Sequence, residues 1–311
     1  MREEILSVGI DIGTSTTQLI FSKLIIENRA SEYAVPRIDI AEKKVVYRSK
    51  IYFTPLLSQT LIDTEKVKQL ISDEYRRAGI SPKDLKTGAV IITGETARKQ
   101  NANSVLEALS DMAGDFVVAT AGPDLESVLS AKGAGADKLS EEHRDVTANI
   151  DIGGGTSNIA FFQKGELKGT CCLDIGGRLI RVEEGRITYI YPGIQKLAEK
   201  HQIRIQEGDR ADEKVLYRIC EYMASQLAMA LYTVEEDSIH KSMYTNEGAP
   251  LPKNPKITSV TFSGGVADCV YNKEEGNIFK YGDIGVLLGK AVKNNSSLQG
   301  LKIYPAAETI R

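Results

Sequence analysis

Two aspartates stand in matching surroundings. Asp11 lies in the apolar run Ile10-Asp11-Ile12 and is followed by Gly13, Thr14, Ser15, Thr16 and Thr17. In the second half of the chain, Asp151 lies in Ile150-Asp151-Ile152, followed by Gly153, Gly154, Gly155, Thr156 and Ser157. Glycine lets backbone N–H groups approach an anion closely, and Ser and Thr hydroxyls add further donors. A carboxylate at the base of such a turn is badly placed to touch a phosphate but well placed to hold a cation that does. Two turns of this kind facing each other would clamp a metal-bound polyphosphate. Three consecutive glycines between two apolar runs also weaken a strand pair, which favours a role beyond turning the chain. A third stretch, Phe262-Ser263-Gly264-Gly265-Val266, ends an apolar run in a glycine pair. Its bared backbone suits a flat base and a ribose.

Other routes to the same chemistry are missing from the sequence. No Gly-x-x-x-x-Gly-Lys-[Ser/Thr] run occurs, and position 158, where Gly-x-Gly-x-x-Gly would need its last glycine, is Asn. The four cysteines (171, 172, 220, 269) form no C-x-x-C pair and read as buried thiols. The three histidines (143, 201, 240) have no metal-ligand spacing. A net charge of −3 gives no electrostatic reason to expect nucleic acid or a membrane as partner. No apolar run approaches the roughly 20 residues that span a bilayer, and the short apolar start meets Asp11 at once, so no secretory leader is expected.

The elements that must carry these turns are legible as alternating strands and helices. Residues 5–11, 17–26 and 44–53 read as strands, and each aspartate turn as the tip of a β-hairpin. A helix runs from 63 or 64 to 78, apolar at Val67, Leu70, Ile71, Tyr75 and Ala78, with Gly79 as its stop. Strand 89–93 leads into helix 96–112, then strand 116–120 and a small-residue helix over 124–134. The second half restarts with a meander over 146–151, 158–162 and 166–173, turning at Lys164-Gly165. Residues 187–191 suit a strand, 217–234 a long helix, 246–256 a loop, 257–263 a strand and 284–292 a short helix. Two halves that each open with strand, Asp, turn and strand suggest a duplicated α/β fold, with domains over 1–145 and 146–311 and a nucleotide cleft where the turns meet. The chain stops soon after 300–304 without a closing helix, as a piece of something longer would.

The order of the three turns resembles the superfamily of actin, sugar kinases and heat-shock chaperone ATPases. That resemblance implies two ribonuclease-H-like (actin-type) domains. It assigns Asp11 to Thr17 as the first phosphate loop, Asp151 to Ser157 as the second, and Ser263, Gly264 and Gly265 as the adenosine loop. Residues 127–136 and 283–292 resemble the two connecting helices. The implied ligands are ATP and Mg²⁺, with Asp11 and Asp151 as catalytic residues that hold the metal through its waters. Residues 1–20, 88–98, 119–128 and 149–158 are more specifically similar to the reactivating factors of ethanolamine ammonia-lyase. That family implies an ATP-dependent, chaperone-like protein whose partner is the adenosylcobalamin enzyme, with damaged cobalamin exchanged for intact cofactor, and the expected location is cytoplasmic. Ethanolamine degradation in this family often uses a bacterial microcompartment. Association as a homodimer stays open.

One departure stands out. Heat-shock relatives carry a carboxylate just before the proline that opens the first connecting helix, and here that residue is Gly122. Asp124 or Glu126 takes its place, or turnover is slow and nucleotide binding matters more than rate; the plainer reading of both acids is that they favour the helix N-terminus electrostatically. Glu95 either opens a helix or faces the cleft, Arg98 and Lys99 read as solvent-facing rather than as phosphate ligands, and Arg178 could reach a phosphate but reads first as a structural ion-pair residue. A small-molecule kinase would need a catalytic base, for which Asp174 is the nearest candidate. A nucleotide-dependent filament or scaffold is the structural rival. An iron–sulfur activator would need paired cysteines, which are missing.

Overall fold

The computed structural model describes residues 2–13, 16–28, 38–50, 52–58, 61–92, 101–110, 116–120, 123–245, 248–272 and 276–307. The chain divides into two compact units, Met1–Gly122 and Pro123–Arg311.

In the first unit, β1 (Arg2–Ile12), β2 (Thr16–Asn28), β3 (Ile38–Arg48), β4 (Tyr52–Phe53), β7 (Thr87–Ile92) and β8 (Phe116–Thr120) form one sheet. Its order is β3-β2-β1-β7-β8, with β4 paired to β2. The first three strands run antiparallel, and β7 and β8 continue parallel to β1. Two short strands, β5 (Leu56–Ser58) and β6 (Leu61–Ile62), pair separately. Val8, Ile10, Ile12, Leu19, Phe21, Val90 and Ile92 bury one face of the sheet against α1 (Thr64–Ala78) and α2 (Ala102–Ser110). The ends of α1 follow from its sequence. Asp63 caps it by accepting from Lys66 N at 3.1 Å, and Gly79 closes it in the left-handed region at φ +67°. Glu74 on α1, almost fully buried, accepts from the hydroxyls of Tyr47 and Tyr52 and pairs with Arg77, fastening β3 and β4 to the helix.

The second unit repeats the plan. Its main sheet has the order β11-β10-β9-β14-β15, built from β9 (Val146–Ile152), β10 (Ser157–Gln163), β11 (Glu166–Leu173), β14 (Ser259–Ser263) and β15 (Lys302–Ile303). Again the first three strands are antiparallel and the next two parallel. The turn at Lys164 and Gly165 has both residues at positive φ, as a two-residue hairpin requires. Between β11 and β14 lie the hairpin of β12 (Ile180–Glu183) and β13 (Arg186–Ile190) and the helices α5 (Pro192–Lys200) and α6 (Glu213–Ala230). After β14 come α7 (Ala267–Tyr271), α8 (Gly285–Asn294) and α9 (Ser296–Gln299). One sheet face, through Ala148, Ile150, Ile152, Ile159 and Phe161, shares a core with Ile219, Met223 and Leu227 of α6 and Leu287 and Leu288 of α8.

The other face is covered by α3 (Pro123–Gly133) and α4 (Ala136–Glu142), where Ala131 and Ala136 meet Ala160 and Phe162. The compact units therefore divide before α3, whereas the repeated motif divides the chain at 145/146. Those helices precede the second sheet in the chain and belong to its packing. Helix α3 is the small-residue helix expected over 124–134, and Gly135, at φ +80°, separates it from α4, which the sequence reading did not mark.

Several expected boundaries moved for physical reasons. The strand expected over 44–53 is β3 and β4, and residues 49–50 after β3 leave the strand, where Ser49 accepts from Leu19 N at 2.9 Å. The helix expected over 217–234 is α6, shifted earlier because Asp212 caps it through Val215 N, and it ends before Tyr232 at φ +56°. Of the helix expected over 96–112, residues 102–110 are helical, Asn101 is a turn residue before them, and 96–100 and 111–112 lie outside the described residues.

Candidate functional site

Both aspartates occupy the penultimate position of the strand that leads each unit. Asp11 in β1 lies opposite Gln18 of β2 and beside Ile91 of β7. Asp151 in β9 lies opposite Asn158 of β10 and beside Ser263 of β14. Each following turn is closed by the same hydrogen bond, Gly13 N to Thr16 O at 2.8 Å and Gly153 N to Thr156 O at 2.9 Å. The two motifs are thus one structural device built twice, at equivalent places in sheets of equivalent order.

In the first unit Asp11 is half-buried. Thr16 is exposed, and Thr17 is fully buried with its hydroxyl 3.1 Å from that of Thr54, which donates in turn to Gly13 O at 2.7 Å. Thr17 therefore braces the turn from within. Thr14 and Ser15 lie outside the described residues, as do Glu95, Arg98, Lys99 and Gly122.

The second unit brings the second phosphate-type turn and the adenosine-type turn together. Asp151 is fully buried, and Ser263, paired with it in register, ends β14. Gly264 follows at φ +86°, where a side chain would press on the Asp151 carboxylate and come within 2.5 Å of Ile152 O. Only glycine fits that conformation and that space. Val266 N then donates to Ile152 O at 3.2 Å, locking the two turns side by side.

A third loop backs them. Gly177 N and Arg178 N donate to the carbonyls of Gly153 (3.0 Å) and Gly154 (2.7 Å). Gly176 packs so tightly that an added carbon would lie 2.7 Å from Gly155 N. With these carbonyls drawn backward, no backbone–backbone bond among the described residues uses the N–H of Gly154 or Gly155. That is the arrangement an anion-binding turn requires.

Buried polar side chains line β9 and β14 beside the turns. Asn149 donates to Ser263 Oγ at 2.9 Å and accepts from Thr261 at 2.9 Å, and Thr147 bonds to Ser259 at 2.9 Å. Asp283, at the start of α8, accepts from Gly285 N at 2.8 Å and lies 3.6 Å from Arg178 Nε. Burial pushes the Asp283 carboxyl up and the Arg178 guanidinium down from their ordinary values. Arg178 makes the ion pair its sequence suggested. Asp174 accepts from Thr245 Oγ1 at 2.5 Å and from Tyr191 at 2.8 Å, so both of its oxygens hold the fold together. Asp124 accepts from Thr170 at 2.6 Å on the surface, whereas Glu126, also in the first turn of α3, is buried. All four cysteines are buried thiols outside any disulfide, and burial raises the thiols of Cys171 and Cys220.

Sequence reading passed over Gln18 and Asn158. The signal was present, since each amide follows its aspartate at the same offset in both halves.

A family profile described as ethanolamine utilisation protein EutA matches residues 3–311. The chain belongs to the EutA family. Two curated members are named ethanolamine ammonia-lyase reactivase EutA. The protein of Salmonella typhimurium is 39% identical over 317 residues, covering 99% of this chain and 65% of its own length. That of Escherichia coli K12 is 38% identical over 309 residues, with the same two coverages. The chain thus spans about two thirds of the length of these EutA relatives. Among solved structures, the Ppx/GppA phosphatase of Aquifex aeolicus, type II variant, superposes with a TM-score of 0.52 at 15% identity, covering 97% of this chain and 96% of its own. This EutA chain has an actin-like fold, α/β and in two domains, as the resemblance of its turns implied. Among the described residues, no helix is long and apolar enough to cross a membrane.

Proposed function

We propose that the two aspartate turns bind MgATP, and that the chain hydrolyses it slowly in the service of reactivating ethanolamine ammonia-lyase. In this reading damaged cobalamin is exchanged for intact adenosylcobalamin, in the cytoplasm and in association with a bacterial microcompartment. The observation that carries the nucleotide reading is the repetition of one turn, with the same closing hydrogen bond and the same place beside a parallel strand. The protein partner is inferred from the ethanolamine ammonia-lyase reactivase activity for which the EutA relatives are named.

The residues present fit such a ligand. A fully buried carboxylate stands beside a glycine that admits no side chain, and the neighbouring Asn158 amide is buried without a partner among the described residues. Asp11 and Asp151 would hold the hydrated cation. Gly13, Thr14, Ser15 and Thr16 on one turn, and Gly153, Gly154, Gly155 and Thr156 on the other, would donate to phosphate oxygens. Thr17 keeps the first turn in shape through Thr54. Ser263, Gly264 and Gly265 would carry the adenosine. When bound, Mg²⁺ offsets charge on the transferring phosphoryl group. A small-molecule kinase is disfavoured because Asp174, its nearest base, is committed to Thr245 and Tyr191.

The test mixes the chain with cyanocobalamin-inactivated ethanolamine ammonia-lyase, ATP, Mg²⁺ and fresh adenosylcobalamin, and assays deamination. Activity returns with the unaltered chain. With Asp11→Asn or Asp151→Asn the rate of recovery falls by about 10²-fold or more, the order seen when one electrostatic stabiliser is lost. Equal recovery with either variant contradicts the reading.

A further inference from the structure

The two aspartates are not the only repeated side chains on these hairpins. Asp11 is paired across the strands with Gln18, and Asp151 with Asn158. Residues directly opposite each other on antiparallel strands point to the same face with neighbouring Cβ atoms. Each carboxylate therefore has a carboxamide at its side. Asn158 is 1% exposed, and among the described residues neither its Oδ1 nor its Nδ2 has a hydrogen-bond partner. Gln18 is 7% exposed. Its Nε2 reaches Ser49 O at 3.4 Å, and its Oε1 is likewise without a partner.

Burying an amide unbonded is costly, and native folds rarely leave one so. The same sheet face shows that this fold can satisfy such a group. Asn149, one strand position away on that face, has its amide bonded on both sides, to Thr261 and to Ser263. Hydrophobic packing does not explain Asn158 either, because the next residues on its face, Ala160 and Phe162, are apolar and pack on α3 and α4. The unbonded amide is the one beside the aspartate.

We propose that Asn158 is a catalytic residue of the nucleotide reaction, holding the water that attacks the γ-phosphate, with Gln18 as its counterpart on the first turn. This rests on the MgATP reading above. A carboxamide offers one acceptor and two donors, so Oδ1 receives a water O–H while Nδ2 donates to a phosphate oxygen. The water oxygen forms a bond to phosphorus as the bond from phosphorus to the bridging β–γ oxygen breaks and ADP leaves. The amide cannot take up a proton. The water's proton passes to a phosphate oxygen and from there to solvent, giving ADP, phosphate and a proton. Positioning without a base is the chemistry of slow turnover.

Asn158→Leu keeps the shape and removes both hydrogen-bonding atoms. In this variant the apparent affinity for MgADP, by titration calorimetry, stays within about threefold and thermal stability is equal or higher, since an unbonded buried amide has gone. The kcat for ATP falls by about 10²-fold, as for loss of one oriented polar contact in a reaction site. In the unaltered chain labelled with ¹⁵N-asparagine, the Asn158 side-chain amide resonance moves when MgATP is added. A kcat for Asn158→Leu within twofold of the unaltered chain, or an amide resonance that MgATP binding leaves in place, overturns this inference alone. A purely structural role would instead lower thermal stability and nucleotide affinity together. Failure of the unaltered chain to bind MgATP overturns the MgATP reading and this inference with it.

Discussion

At the scale of single residues, the site depends on side chains that the fold cannot accommodate as much as on those it presents. Gly264 sits at φ +86° against the Asp151 carboxylate and Ile152 O, whereas its neighbour Gly265 has open space where a Cβ would go. An alanine in the left-handed region costs about 1–2 kcal/mol before any clash is counted. Gly264→Ala should therefore lower the urea-unfolding free energy by at least that amount and weaken MgATP binding, while Gly265→Ala should change stability by less than about 0.5 kcal/mol. Equal effects of the two substitutions would contradict the close packing of the adenosine-type turn on Asp151. At this scale the sequence announced Asp11, Asp151 and the glycines, because tight turns need those residue types. It did not announce that Thr17 and Ser263 face inward, which depends on partners as distant as Thr54 and Asn149.

At the scale of elements, local signals fixed what local physics decides. Helix α1 begins at Asp63 and stops at Gly79, as a cap and a left-handed glycine dictate, and the meander of β9, β10 and β11 follows its alternating pattern and the Lys164-Gly165 turn. Only β13 of the hairpin of β12 and β13 was legible, since the alternation of β12 covers just four residues, Ile180–Glu183, and the hairpin's partner contacts are set by Gly282 and Asp209 elsewhere in the chain. Elements here are also tied by buried polar groups whose protonation matters. His240 is fully buried, with Nδ1 2.8 Å from Gln226 Oε1 on α6 and Nε2 3.2 Å from Tyr244 Oη. Gln226 donates in turn to Asp237, which pairs with Lys200 of α5 at 2.6 Å. Burial holds the His240 imidazole below its ordinary value, against the opposing pull of Glu236 and Asp237. A histidine neutral in the fold but free to protonate when unfolded adds stability above its unfolded pKa of about 6.5, and that contribution fades as pH falls below it. Unfolding free energy measured from pH 7.5 down to 5.5 should decline by up to about 1.4 kcal/mol per pH unit below 6.5 from this group, and His240→Gln should flatten that decline. A slope unchanged by the substitution would remove His240 as its source.

At the scale of the whole molecule, one strand order serves twice, third, second, first, fourth and fifth, with the aspartate always on the central first strand where antiparallel and parallel pairing meet. This duplication was the most legible property of the sequence, because a repeated Asp turn needs the same hairpin and the same parallel neighbour in each copy. The place where the compact units divide was not legible, since α3 and α4 lie before the second sheet in the chain yet pack on it. The proposed function assigns both copies of the turn to one ligand, which makes it testable without a partner enzyme. The direct measurement is titration calorimetry of MgATP into the unaltered chain, into Asp11→Asn and into Asp151→Asn. The account predicts one site per chain in the unaltered protein and loss of about tenfold or more in affinity from each substitution made alone, the effect of removing one charged partner worth about 1.4 kcal/mol or more. Undiminished binding in either variant would contradict it.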